Sequence, residues 1–163
     1  MSKKKDLLNT AIEIGAILFI GYTISKYFRL ALTRGNSMLP TFKHNQPLLL
    51  DCKCYRRQEP SRHDIVAFKC PNHKKKIYLK RVIGLPGEKV RIEEGNVYIN
   101  DQILNESYIK EPMKRLQKME ITVEAGTLFV MGDNRNDSLD SRSKAIGLIS
   151  IKKDVVGVVK RCK

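Results

Sequence analysis

The chain has 163 residues, which suits one domain with an appendage at one or both ends. Its hydrophobic fraction of 42% allows a packed core and excludes a collagen-like or largely disordered chain. The net charge of +14 predicts attraction to an anionic partner. Because the basic residues are scattered and no nucleic-acid-binding motif accompanies them, we expect the anionic partner to be lipid and expect no binding of nucleic acid.

The first predicted element is a helix that spans a membrane. Leu7 to Ile24 is a run of 18 residues whose only charge is Glu13. A bilayer-spanning helix needs about 20 mostly apolar residues, with about 17 as the lower limit. We extend the segment to Leu32 because the basic side chains in between can reach toward head groups.

Three other interpretations of this segment remain open. A cleavable signal peptide would end in small residues, which Thr33-Arg34-Gly35 does not provide. A helix lying in the membrane surface would need a strongly charged face. A buried helix of a soluble domain would explain Glu13. We favour the span, and divide the chain into a cytoplasmic stub (1–6), a transmembrane helix with its flank (7–32) and an outer domain (33–163).

A candidate nucleophile follows directly after this helix. Gly35-Asn36-Ser37-Met38-Leu39-Pro40-Thr41 places a serine close to the membrane boundary. A serine hydroxyl is a weak nucleophile until a base takes its proton. The segment therefore predicts a catalytic serine only if the rest of the chain supplies a base.

Four cysteines allow several interpretations. Cys52, Cys54 and Cys70, with His73, could bind zinc, although their spacing is unusual for zinc sites. A disulfide from Cys70 to Cys52 or Cys54 is also possible. We favour small, partly buried thiols, also for Cys162, and expect no metal.

The remainder of the chain predicts a mainly β domain. Short apolar or alternating runs are bounded by turn residues, and helical periodicity is weak. Alternation on both sides of Glu93-Glu94-Gly95 predicts a hairpin. The predicted strands are 48–50, 65–68, 77–83, 89–92, 96–99, 102–104, 127–131 and 155–160.

Lys80 is the candidate base. Strand alternation places it on the same face as Tyr78 and Val82, among apolar neighbours. Burial of a lysine favours the neutral amine and lowers its pKa, and a neutral amine can take the proton of Ser37. The alternative is that Lys80 is one of many surface lysines.

Four segments of the chain are candidate motifs: Ser37 to Thr41, Arg62 to Val66, Lys80 to Glu88 and Gly132 to Arg142. The loop Gly132 to Arg142 alone could be a solvated turn, since Gly, Asn, Asp and Ser dominate turns. In this order, however, the four segments are highly specific. Together they resemble the type I signal peptidase family, membrane-bound serine endopeptidases that remove signal peptides.

The resemblance implies an antiparallel β-sheet catalytic domain and a Ser/Lys dyad that works through an acyl-enzyme. Ser37 matches the nucleophile, Lys80 the general base and Ser138 the serine that orients the lysine amine. The Ser37 backbone N–H matches one oxyanion donor, while the position of a second donor in part of the family is Gly35, which has no side chain. The implied salt bridges join Asp140 with Arg142 and Arg81 with Asp133.

The resemblance also implies substrates and a location. The substrates are preproteins with small residues at positions −1 and −3 before the cut, and no cofactor is expected. The implied location is the cell membrane, with the N-terminus cytoplasmic and the catalytic domain outside. The mitochondrial inner membrane or the thylakoid membrane is the alternative.

Other interpretations of the chemistry are weaker. Relatives often carry glycine where this chain has His63, but a Ser37–His63–Asp64 triad is disfavoured because adjacent strand residues point to opposite faces. His44 and His73 are expected to be exposed bystanders. A self-cleaving repressor-type Ser/Lys protease would carry a DNA-binding domain. A non-enzymatic basic module, binding membrane or nucleic acid, would make Ser37 and Lys80 coincidental.

Overall fold

The structure is a computed structural model that describes residues 2–71, 73–114, 116 and 118–159, without the side chains of 2–6, 8 and 73–75. The end of the last predicted strand at Lys160, Cys162 and the side chain of His73 lie outside this description.

The N-terminal segment is a helix, α1 (Ser2–Tyr27), followed directly by a strand, β1 (Phe28–Leu32). The helix therefore begins before residue 7, and the predicted flank up to residue 32 is a strand. Phe28–Leu32 is a strand because it pairs antiparallel with Pro47–Asp51, with Leu30 opposite Leu49. The apolar side chains of α1 are exposed. No helix within the described residues has the length and apolarity that crossing a bilayer requires.

The rest of the chain forms two antiparallel sheets, which confirms the mainly β prediction. The strands after β1 are β2 (Pro47–Asp51), β3 (Ile65–Cys70), β4 (His73–Gly84), β5 (Lys89–Glu93), β6 (Asn96–Ile99), β7 (Gln102–Ile103), β8 (Met119–Thr122), β9 (Thr127–Met131), β10 (Ile149–Ser150) and β11 (Val155–Val159). The larger sheet has the order β1-β2-β11-β3-β4-β9-β10 and the smaller one β7-β6-β5-β8. The predicted 89–92 and 96–99 hairpin is present as β5 and β6.

Strands β4 and β9 lie between two hydrophobic cores. Val82 and Val130 belong to the core under the larger sheet, whereas Ile83 and Phe129 belong to the core of the smaller sheet. This division follows from strand alternation, which sends neighbouring side chains to opposite faces. The same rule sends Lys80 and Arg81 to opposite faces of β4.

The cysteines lie near the first core. Cys54 and Cys70 are buried, and Cys54 begins a short 3-10 helix, Cys54–Arg56. Cys52, Cys54 and Cys70 form no disulfide with one another, so that alternative was wrong.

Candidate active site

Ser37 and Lys80 meet at one side of the larger sheet. Ser37 lies in the turn after β1, where Leu39 N–H donates to Asn36 O (3.1 Å) and Met38 is buried. Lys80 comes from the middle of β4. Its Nζ donates to Ser37 Oγ at 2.6 Å. The fold thus joins a serine hydroxyl and a lysine amine that are 43 residues apart.

The environment of Lys80 favours the neutral amine. The residue is only 1% exposed. Burial lowers the pKa of Lys80 to about 8, against the opposing charges of Asp140 and Asp133. A substantial fraction of this amine is therefore neutral slightly above neutral pH, when it can accept a proton.

The loop 132–142 follows β9 and holds in place the serine turn, defined here as residues 35–41. Asn134 N–H donates to Ser37 O at 3.0 Å, and its side-chain amide donates to Asn36 O at 3.1 Å. The hydroxyl of Ser138 donates to Asp140 Oδ2 at 2.6 Å. The predicted bond between Ser138 and Lys80 is not among the hydrogen bonds of the described residues. Ser138 nevertheless lies beside the Ser37 backbone.

Asp140 connects the two ends of this loop. It accepts hydrogen bonds from Arg142 Nε and Nη2, both at 2.8 Å, and from Gly132 N–H at 2.9 Å. Burial by itself would raise the pKa of Asp140, but the hydrogen bonds and charge of Arg142 outweigh burial and lower it. The carboxylate therefore stays ionised and fixes the loop around Ser138.

Arg81 and Asp133 form a second ion pair on the opposite face of β4. Arg81 Nε and Nη2 donate to the two carboxylate oxygens at 2.8 and 2.6 Å, and both side chains are buried. The Thr41 hydroxyl also donates to Asp133. This pair therefore ties the end of the serine turn to β4 and to the loop.

Gly35, two residues before Ser37, offers no side-chain donor for an oxyanion. Gly35 adopts a φ of 84°, in the left-handed region that glycine tolerates best. Its N–H donates to His44 Nδ1 at 3.0 Å. His44, predicted to be a bystander, thus contacts the backbone two residues before Ser37. The N–H of Ser37 is the candidate donor in this turn.

His63 and Asp64 do not form a triad with Ser37. The His63 ring packs edge-on against Tyr108, with 5.3 Å between ring centroids, and Asp64 accepts a hydrogen bond from the Tyr55 hydroxyl. His63 has a φ of 72°, which explains why glycine suits this position in relatives.

A cavity of about 520 Å³ opens beside Ser37 and Lys80. It lies along β1, β2 and β4, and most of its lining is apolar. Lining residues include Ala31, Leu48, Leu50, Ala67 and Tyr78.

Replacement of Gly132 is expected to slow catalysis. A Cβ added there would lie 2.2 Å from Ser138 Oγ and 2.6 Å from Ser37 O, so the backbone would have to shift. We expect Gly132→Ala to lower kcat by about 10- to 100-fold, since small displacements of reacting groups cost that much. Gly21→Ala is the control, because no atom lies within 4 Å of its added Cβ. Equal kcat in both variants would contradict the close contact.

Several contacts around the site were not predicted. Glu106 and Tyr108 form a partly buried cluster with Arg135 of the loop 132–142, and His44 contacts Gly35. Arg135 lies within the motif Gly132 to Arg142, and that position was the only signal that the sequence offered for it. Glu106 has no motif or periodic pattern that would identify it.

A serine hydroxyl bonded to a buried lysine in an antiparallel β domain defines the class of Ser/Lys hydrolases. The family model for signal peptidase, peptidase S26, matches residues 7–162. The chain is 33% identical to signal peptidase I U of Bacillus subtilis, over 95% of this chain and 87% of that protein. It is 34% identical to the probable signal peptidase I-2 of Synechocystis, over 86% of this chain and 69% of that protein.

A solved structure agrees with these similarities. The crystal structure of a signal peptidase I from Enterococcus faecalis has a TM-score of 0.55 and 34% identity, covering 63% of this chain and 98% of that chain. The chain therefore belongs to the signal peptidase family, peptidase S26. It is a serine endopeptidase of the signal peptidase I type, which removes signal peptides. This finding excludes the repressor-type and non-enzymatic alternatives as the main function.

Proposed function

We propose that Ser37 is the nucleophile and Lys80 the general base with which this chain removes signal peptides from exported preproteins. The observation that carries the proposal is the 2.6 Å contact between Ser37 Oγ and Lys80 Nζ in a buried site. A lysine of lowered pKa next to a serine supplies both requirements of an activated nucleophile, proximity and a basic form.

The reaction proceeds through an acyl-enzyme. Lys80 takes the proton of Ser37 as Oγ attacks the scissile carbonyl. Lys80 then gives that proton to the leaving amine, the peptide C–N bond breaks, and the mature protein departs. Lys80 next takes a proton from water as the water oxygen attacks the ester carbonyl. Lys80 returns that proton to Ser37 Oγ as the ester C–O bond breaks, which releases the signal peptide with a free carboxyl end. The Ser37 N–H donates to the developing oxyanion, while Gly35 contributes no side chain.

The surrounding polar groups keep this pair in position. We assign Ser138 the orientation of the Lys80 amine, through a hydroxyl that Asp140 holds at 2.6 Å. Arg142 keeps Asp140 ionised, and the Arg81–Asp133 pair fixes the loop from the opposite face. Groups held in this way preserve catalytic geometry without touching the substrate.

The substrate enters the apolar cavity as an extended segment. We assign the cavity to the residues just before the cut, and propose that it is there that small side chains at positions −1 and −3 are selected. The exposed apolar side chains of α1, with Ile17, Leu18 and Phe19 each about two-thirds exposed, support its role as a membrane anchor. The N-terminus then lies in the cytoplasm and the catalytic domain outside, against anionic lipid.

A preprotein cleavage assay tests this function. Full-length enzyme in lipid vesicles is expected to cut a preprotein with alanine at −1 and −3, and replacement of the −1 alanine by leucine should lower kcat/KM by roughly 100-fold. Ser37→Ala serves as the inactive control. Equal cleavage of both preproteins would contradict the assignment of the cavity, and an active Ser37→Ala variant would contradict the nucleophile.

A further inference from the structure

We propose that Glu106 is a positioning residue for catalysis, acting through Arg135 on the loop that holds Ser37. Glu106 lies in the strap, defined here as residues 104–114, between β7 and β8. The inference rests on the proposed roles of Ser37 and Lys80. It adds a contribution to the active site from a segment outside all four family motifs.

Glu106 and Arg135 form a bidentate ion pair away from solvent. Arg135 Nη1 donates to Glu106 Oε2 at 2.6 Å, and Nη2 donates to Oε1 at 2.5 Å. The side chain of Arg135 is 1% exposed and that of Glu106 is 9% exposed. A paired guanidinium and carboxylate in this geometry restrict orientation as well as distance. Glu106 therefore fixes the plane of the Arg135 guanidinium.

The third donor of Arg135 carries this restraint to the catalytic serine. Arg135 Nε donates to Gly132 O at 3.1 Å. Gly132 is packed so closely that an added Cβ would lie 2.6 Å from Ser37 O. Its N–H also donates to Asp140, which binds Ser138. A shift of the Arg135 guanidinium would thus displace the backbone that packs against Ser37.

Tyr108 strengthens the strap at a second point. Its hydroxyl donates to Glu106 Oε1 at 2.8 Å. Its ring lies 4.1 Å from the Arg81 guanidinium carbon and 6.0 Å from that of Arg135. In addition, Lys110 N–H donates to Asp133 O at 3.1 Å. The strap thus contacts both the loop and the buried ion pair that support the site.

The experiment compares Glu106→Gln with Glu88→Gln in the full-length enzyme. Glu88 is the matched control because it forms a bidentate pair with Arg62, at 2.9 and 2.5 Å, outside the loop 132–142. Glu106→Gln is expected to lower kcat by about 10- to 100-fold with KM within about 2-fold of wild type. Glu88→Gln should keep kcat within about 2-fold. Rates are measured well below the unfolding temperature of every variant, so that lost stability cannot lower them.

The outcomes separate this inference from the proposed dyad. A kcat within 2-fold of wild type for Glu106→Gln, with an inactive Ser37→Ala, would overturn the positioning role alone. An active Ser37→Ala would overturn the dyad and the inference with it. If Glu106→Gln does not fold, Tyr108→Phe decides, because it removes only the hydroxyl that binds Glu106. A threefold or larger fall in its kcat supports the role, and an unchanged kcat overturns it.

Discussion

Replacing Lys80 by methionine is expected to lower kcat/KM for preprotein cleavage by about 10²–10⁴-fold, the usual contribution of a general base. Methionine keeps most of the volume of the lysine stem but cannot take the proton of Ser37. Steady-state cleavage by the purified full-length enzyme measures the effect. Lys69→Met is the control, because Lys69 is also on a strand of the larger sheet, β3, but is exposed and does not line the cavity beside Ser37. Full activity of Lys80→Met would rule out Lys80 as the base.

The same residue sets the pH dependence of the wild type. Burial lowers the pKa of Lys80 to about 8, and only the neutral amine is a base. We therefore expect kcat/KM to fall tenfold per pH unit below about 8 and to level off above it. A profile that is flat between pH 6 and 9 would contradict a base with this pKa.

Stability should also rise with pH, but between about pH 8 and 10.5, above the range in which activity rises. The ordinary pKa of the lysine, 10.5, applies to the unfolded chain, so burial of the charged form destabilises the fold at every pH below about 8. This penalty, on the order of 3 kcal/mol, disappears as the pH rises through 10.5. The stability advantage of Lys80→Met over wild type should therefore shrink by about that amount between pH 7 and pH 11. Denaturant unfolding of both proteins at each pH measures the difference in their free energies of unfolding. The other titrating groups are the same in both proteins, so their contributions cancel in that difference.

The position of Lys80 in β4 explains how the fold tolerates this residue. Strand alternation places Lys80 and Arg81 on opposite faces of one strand that is covered on both sides. On one face the amine meets Ser37, and on the other the guanidinium meets Asp133. A single strand thus supplies the reactive base and an anchor for the loop that supports it.

The sequence predicted the parts of the fold that depend on local pattern. Alternation identified the 89–92 and 96–99 hairpin, and the apolar runs identified β3 and β9. It placed 28–32 in the helix and its flank, because the apolar run extends to Leu32 if Lys26 and Arg29 reach toward head groups. Their strand conformation depends on pairing with β2, a partner about 20 residues away, and no local pattern carries that information.

The same limit applies to the candidate site. Motif resemblance led to Ser37, Lys80 and two aspartates of the loop, Asp133 and Asp140. It could not find Glu106, because the bond to Arg135 joins residues 29 positions apart and needs the packed strap. It also gave Ser138 a bond to Lys80, whereas its hydroxyl donates to Asp140 here. Hydroxyl partners depend on angstrom-scale placement, which spacing alone does not determine.

Removal of one partner of the Arg81–Asp133 pair should produce the largest loss of stability. Asp133→Asn is expected to lower the free energy of unfolding by about 3–5 kcal/mol, because it leaves a buried guanidinium without its counter-charge. The side chains are only 1% and 0% exposed, so water cannot replace the lost carboxylate. Guanidinium or urea unfolding measures the change. Lys118→Gln, which removes an exposed ion pair with Glu93, should leave the free energy of unfolding nearly unchanged, because solvent screens that pair.

The double variant Arg81→Met/Asp133→Leu separates the cost of an orphaned charge from the value of the pair. Because two apolar side chains require no counter-charge, we expect the double variant to regain most of the stability that Asp133→Asn loses. Its activity should stay low, since the loop no longer has the bonds that join it to Arg81 and to Thr41. If the double variant is no more stable than Asp133→Asn, the bonds of Arg81 to His63 O and Thr41, rather than the unpaired charge, dominate the energetics.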